Sequence, residues 1–197
     1  MSDPFVQLRT ATDSSANEPA ASFAEQLRRR VDDVTAGTDA APRRWHLAQL
    51  NLGLFKESLD HPDMAPFVAG LDRINEMAEL SPGFVWRLKD EDGNSSSFVE
   101  VPGAVDPLTA SNLTVWEDLE SLWNFVYKTD HVAYLRRRAE WFRHSDKPLT
   151  VAWWTPAGTL PTIHEACRRL EHFQDHGASD IGFGLGRTIP DPPSFGA

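Results

Sequence analysis

Apolar residues recur along this chain at two different periods, and the switches between them lay out a fold. From Trp45 to Gly53 the chain alternates with period two, which predicts a strand. Trp45, Leu47, Gln49 and Asn51 share one face, and His46, Ala48, Leu50 and Leu52 share the other. The second face is the more apolar and is expected to meet the helices. The first carries amides, as a pocket-facing side would. Between Asp60 and about Leu80 the period becomes helical: Phe67, Val68, Leu71, Ile74 and Ala78 form one stripe. Asp63 suits an N-cap, Pro66 a first turn, and Ser81-Pro82-Gly83 the exit.

A second strand is expected over Phe84–Lys89, followed by a turn at Asp92-Gly93-Asn94 and a third strand over Ser111–Trp116. A long helix is expected from about Glu117 to His144, with a break near Thr129. Leu119, Leu122, Trp123 and Val126 form its first stripe. A fourth strand follows over Leu149–Trp154. A last helix opens on the capping-box pattern Thr162-Ile-His-Glu165 and closes at His176-Gly177. The order βαββαβ is that of a ferredoxin-like α+β fold, an antiparallel sheet with helices on one face, here with an extra C-terminal helix. The bare face of such a sheet needs a cover, and a second copy of the chain is expected to supply it, giving a homodimer with facing sheets.

Outside this body the pattern fades. Residues 1–43 are rich in Ser, Ala, Asp, Thr and Pro and are expected to be a flexible extension, with one possible helix from Phe23 to about Thr35. Residues 44–177 form the domain. Residues 178–197 read as an extended Gly/Pro-rich arm, and Gly182-Phe-Gly-Leu-Gly186 within it as a flexible tail rather than a nucleotide loop, because no strand leads in and no helix follows.

Composition narrows the classes of partner. The net charge of −10 opposes nucleic-acid binding, which needs a positive surface. No apolar run reaches membrane-span length and no leader pattern opens the chain. A single cysteine, Cys167, excludes an internal disulfide and fits a cytoplasmic location. Cys167 is expected to be structural, since no base partner is evident.

Several segments carry a family likeness: His46-Leu-Ala-Gln-Leu-Asn51, Ser81-Pro-Gly-Phe-Val-Trp-Arg-Leu88, Asn112-Leu-Thr-Val-Trp-Glu117, Phe125-Val-Tyr-Lys-Thr-Asp-His131 leading to Arg136-Arg-Arg-Ala-Glu-Trp-Phe142, and Trp153-Trp-Thr-Pro-Ala-Gly158. Over about residues 44–190 the chain resembles a bacterial family of unknown function. That family in turn resembles the dimeric α+β barrel superfamily, which includes the antibiotic-biosynthesis monooxygenases. The resemblance implies a dimeric α+β barrel and a small-molecule tailoring enzyme of the monooxygenase-like class (an oxygenase, isomerase or cyclase) acting in an aromatic-lined pocket. The superfamily also holds haem enzymes, so the cofactor is expected to be either none or haem. In the haem-degrading relatives the ligand histidine lies further along the second helix, where this chain has Arg136. A non-catalytic ligand-binding dimer is the alternative.

The residues suggest where such a site lies. Gln49 and Asn51 on the first strand and Asn112, Thr114 and Trp116 on the third fall on single faces and can line a pocket holding a small-molecule substrate. His131, near Tyr127 and Tyr134, is the candidate general base or haem ligand; a core histidine capping a helix break is the alternative. Arg87 and Arg137 can hold an anionic or carbonyl group, or serve in surface ion pairs. His172 and His176 share a helix face with His164 nearby, but no further ligand cluster completes a metal site.

Overall fold

The structure, a computed structural model, describes residues 44–186 and 189–194. The extension over residues 1–43, with its expected helix, lies outside them. In chain order the elements are β1 (Trp45–Leu54), α1 (Ala65–Glu79), β2 (Phe84–Arg87), β3 (Thr109–Trp116), α2 (Leu119–Lys128), α3 (His131–Trp141), β4 (Thr150–Pro156) and α4 (Ile163–His176). Four strands make one antiparallel sheet in the order β2-β3-β1-β4. This is the expected ferredoxin-like α+β arrangement. The sheet is open, and the chain does not form a closed barrel.

The two faces are covered differently from the expectation. Leu47 and Trp116 pack against Ala78 of α1 and Leu122, Phe125 and Val126 of α2. The amide-bearing face therefore meets the helices. Ala48, Leu50, Leu113, Val115, Val151 and Trp153, on the opposite face, pack against Ala166, Cys167 and Leu170 of α4. The face expected to stay bare for a partner copy is thus the one that α1 and α2 cover, and α4 covers the other. Leu47 and Leu50 are both fully buried, so β1 is sandwiched on both sides.

The C-terminal segment also departs from a flexible tail. Phe183 pairs with Ala152 on the open edge of β4 through two backbone hydrogen bonds of 2.8 and 2.9 Å. Its ring is 1 % exposed. Further on, Ile189 is buried and Trp154 Nε1 donates to Pro190 O at 2.9 Å. The segment thus blunts an edge that would otherwise offer unpaired backbone groups.

The expected break in the long helix is present and has a local cause. Thr129 is extended (φ −115°, ψ −179°) between α2 and α3. Its hydroxyl donates to Phe125 O at 2.6 Å and accepts from the His131 N–H at 3.2 Å. One side chain thereby satisfies an orphan carbonyl of α2 and an orphan N–H of α3. The chain leaves α3 at Phe142, which is extended and bridges Phe55. The caps also differ in detail from the sequence reading. His61, not Asp63, caps the short turn Pro62–Met64 ahead of α1. Thr162 caps α4 as expected, but Glu165 turns to Arg169 rather than back to the cap.

Candidate functional site

The amide face and the helices over it do not close on each other. Two aromatic groups hold them apart. Near one end Trp116 stacks on Phe125 (5.2 Å between centroids, 25°) and meets Phe84 edge-on (5.3 Å, 84°). Near the other, Phe67 packs on Phe55, Trp141 and Phe142 at 5.3 to 5.5 Å. Two glycines make room for rings that line the cavity. A Cβ on Gly53 in β1 would overlap the Phe142 ring, and one on Gly70 in α1 would overlap Tyr134 of α3. Between the aromatic groups lies a cavity of about 390 Å³, within the range of small-ligand sites.

The floor is the sheet. Gln49, Asn51, Asn112, Thr114 and Trp116 line the cavity, as the alternation predicts. Their register is direct: Gln49 lies opposite Thr114 and Asn51 opposite Asn112. Trp116 Nε1 donates to Thr114 Oγ1 at 3.0 Å, and Thr114 Oγ1 donates to Gln49 Oε1 at 3.3 Å. Thr150 Oγ1 donates to Asn51 Oδ1 at 2.7 Å. Both amide oxygens are thus engaged by threonine hydroxyls, and the amide N–H groups are what the floor has left to offer.

The roof comes from α1 and α3. Phe67, Ile74 and Asn75 contribute from α1, and His131, Tyr134 and Arg138 from α3. His131 is half-buried at the start of α3. Its Nδ1 lies 3.3 Å from Val126 O, and its ring packs on Phe125 at 4.9 Å. A carbonyl oxygen only accepts, so Nδ1 carries the proton and Nε2 keeps a lone pair. Burial pushes the His131 pKa below its ordinary value, and the bond to Val126 offsets this in part. The neutral imidazole is therefore the favoured form, which suits a general base or a metal ligand.

Three sequence candidates fall elsewhere. Arg87 is buried in an ion pair, with Nε donating to Glu79 Oε1 at 2.8 Å and the guanidinium also reaching Asn94 O at 3.1 Å. Lys89 joins the same carboxylate at 2.9 Å, and the two cations, Lys89 foremost, hold Glu79 below the usual carboxylate range. Arg137 forms a two-bond pair with Glu140 (3.0 and 2.9 Å) and lies over Trp141. Tyr127 packs at a tilt on Trp123, with centroids 4.1 Å apart. None of the three lines the cavity. His172 and His176 stack on each other at 4.4 Å, and among the described residues no cluster of His, Cys, Asp or Glu could hold a metal. Cys167 is buried, and burial together with Glu171 pushes its thiol pKa up, so it is a packing residue.

Sequence reasoning missed Asn75, Arg138 and Arg143, which all line the cavity. Asn75 Nδ2 is buried without a hydrogen-bond partner. Arg143 donates from Nε to Phe55 O at 2.8 Å and pairs with Asp106. The exposed Asn112, Arg143 and His144 mark where the cavity meets solvent. Among the described residues no helix is long and apolar enough to cross a membrane. Comparison with curated proteins and with solved structures finds no match. A family model does match, over residues 46–194, so that it takes in all of the sheet but Trp45, the cavity and the docked C-terminal segment. The chain belongs to the family described as a domain of unknown function, DUF3291.

Proposed function

We propose that this protein is a small-molecule enzyme in which His131 moves a proton to or from a substrate held in the cavity between the sheet and α1–α3. The observation that carries the reading is the fixed tautomer of His131, a lowered-pKa imidazole with Nδ1 tied to Val126 O, on the wall of a cavity with aromatic ends. Nε2 would act as general base while the amides of Gln49 and Asn51 orient a carbonyl or hydroxyl oxygen. The aromatic groups give the substrate an apolar wall, while the cavity stays open to solvent beside Asn112, Arg143 and His144. Proton abstraction beside a carbonyl is a step shared by isomerases, cyclases and cofactor-free oxygenases, the monooxygenase-like classes that the sequence resemblance implies. A direct test is deuterium exchange in heavy water over a panel of small carbonyl compounds. At least one should exchange its α-proton with the wild-type protein, and His131→Gln should abolish that exchange. Exchange that persists in the variant would remove His131 from the role.

One observation favours a second reading, in which the same pocket holds haem. Histidines that ligate metals commonly donate their second ring nitrogen to a carbonyl, as His131 does. His131 would hold the iron, and the group would supply redox chemistry at that wall. A Soret band that shifts when haemin is added to the wild type, and not to His131→Ala, would support this version. No shift in either protein would remove it.

A further inference from the structure

The chain carries 29 acidic and 19 basic residues, yet among the described residues that line the cavity none is Asp or Glu, while Arg138 and Arg143 both do. A random patch of this surface would carry mostly negative charge, so the sign inversion is local to the cavity. The two arginines are not equivalent. Arg143 is paired with Asp106. In the same way Arg73, Arg87, Arg137 and Arg169 each face a carboxylate. Arg138 is half-buried, and among the described residues its side chain makes no ion pair or hydrogen bond. A guanidinium on a cavity wall without a counter-charge is free to take one from a ligand.

Two further groups agree with it in kind. Asn75 Nδ2 is a buried donor with no acceptor. On the floor, the oxygens of Gln49 and Asn51 already accept from Thr114 and Thr150, so these amides have N–H groups left to give. The wall also carries acceptors, in the Asn112 amide, serine hydroxyls and Nε2 of His131, so what sets it apart is the positive charge of Arg138 with no carboxylate beside it. We propose that the ligand of this cavity is an organic anion, an apolar body bearing a carboxylate or a chemically similar oxyanion, which Arg138 binds. The guanidinium fork suits two parallel bonds to such a group, and the positive wall would draw anions into an otherwise acidic molecule. The proposal rests on the reading of the cavity as a ligand site and adds the charge of the ligand.

The test compares two dyes of the same aromatic body, anilinonaphthalene sulfonate and the uncharged phenylnaphthylamine, by fluorescence titration of the full chain. The wild type is expected to bind the sulfonate at least about tenfold more tightly, a difference of about 1.4 kcal/mol. Arg138→Gln should bring the sulfonate down to the level of the neutral dye and leave the neutral dye unchanged, while Arg138→Lys should keep part of the preference. Equal binding of the two dyes by the wild type, or a sulfonate affinity that survives Arg138→Gln, would overturn the anion assignment and leave the cavity reading standing. Failure of both dyes to bind would take the cavity reading down as well. A haem propionate is the same class of group, and haemin titration at the Soret band separates that source from a free anion.

Discussion

Nδ1 of His131 lies 3.3 Å from the carbonyl oxygen of Val126, across the break between α2 and α3. This contact decides which ring nitrogen holds the proton and, with burial, which charge state the ring prefers. Because the folded-state pKa is lowered, the unfolded chain takes up this proton more readily. The contribution of His131 to stability is therefore fully present above its unfolded pKa of about 6.5. It diminishes as pH falls below that value and levels off once the folded ring is also protonated. Chemical unfolding across this range should show the decline in the wild type, and its loss in His131→Gln.

Asp106 should give a second, more acidic window. Arg143, and after it the Leu108 N–H, hold its carboxyl below the usual range. Its contribution is present above about 3.9, the unfolded value, and is lost as pH falls through the lower folded value. Arg143→Gln should flatten the acid limb of the stability profile and leave the limb near neutrality alone.

Thr114 joins two buried groups that have few alternatives. Thr114→Val keeps the shape of the side chain but strands Trp116 Nε1 and the Gln49 amide, which the hydroxyl now serves. The expected cost is about 1–3 kcal/mol, read as a lower denaturant midpoint. The near-UV signal of the freed indole should change with it.

The contact of Gly70 with Tyr134 predicts a change of sign. Alanine in a helix interior gains about 1 kcal/mol over glycine. Here its Cβ would overlap the Tyr134 ring, and overpacking costs about 1–3 kcal/mol. Gly70→Ala should therefore destabilise the wild type. In a Tyr134→Ala background, where the overlap is gone, the same change should stabilise. Denaturant melts of the four proteins form the cycle that checks it.

Much of this was legible in the sequence because period is a local property. The strand alternation placed Gln49, Asn51, Asn112, Thr114 and Trp116 on one wall, and the structure puts all five on the cavity. Thr129 marked the helix break. Period does not say which helix covers which face, and β1 is apolar on both sides, so nothing in its alternation told that α1 and α2 would take the amide face and α4 the Leu50 face. Arg138 was hidden inside an arginine triplet. Once α3 is known to begin at His131, however, Tyr134, Leu135 and Arg138 follow at three, four and seven residues, on the same helical face. The break therefore held the signal for Arg138. Asn75 gave none, because its significance lies in a missing hydrogen-bond partner that only coordinates can show.

The central claim is that a ligand occupies the cavity against the unprotonated nitrogen of His131, and two-bond proton–nitrogen NMR of histidine-labelled protein tests it most directly. In the free protein His131 should show a protonated Nδ1 and a bare Nε2. Saturation with anilinonaphthalene sulfonate should shift the Nε2 resonance and leave Nδ1 hydrogen-bonded to Val126, with the shift absent in Arg138→Gln at the same dye concentration. A His131 spectrum unchanged at saturation, or a free protein with the proton on Nε2, would contradict the account.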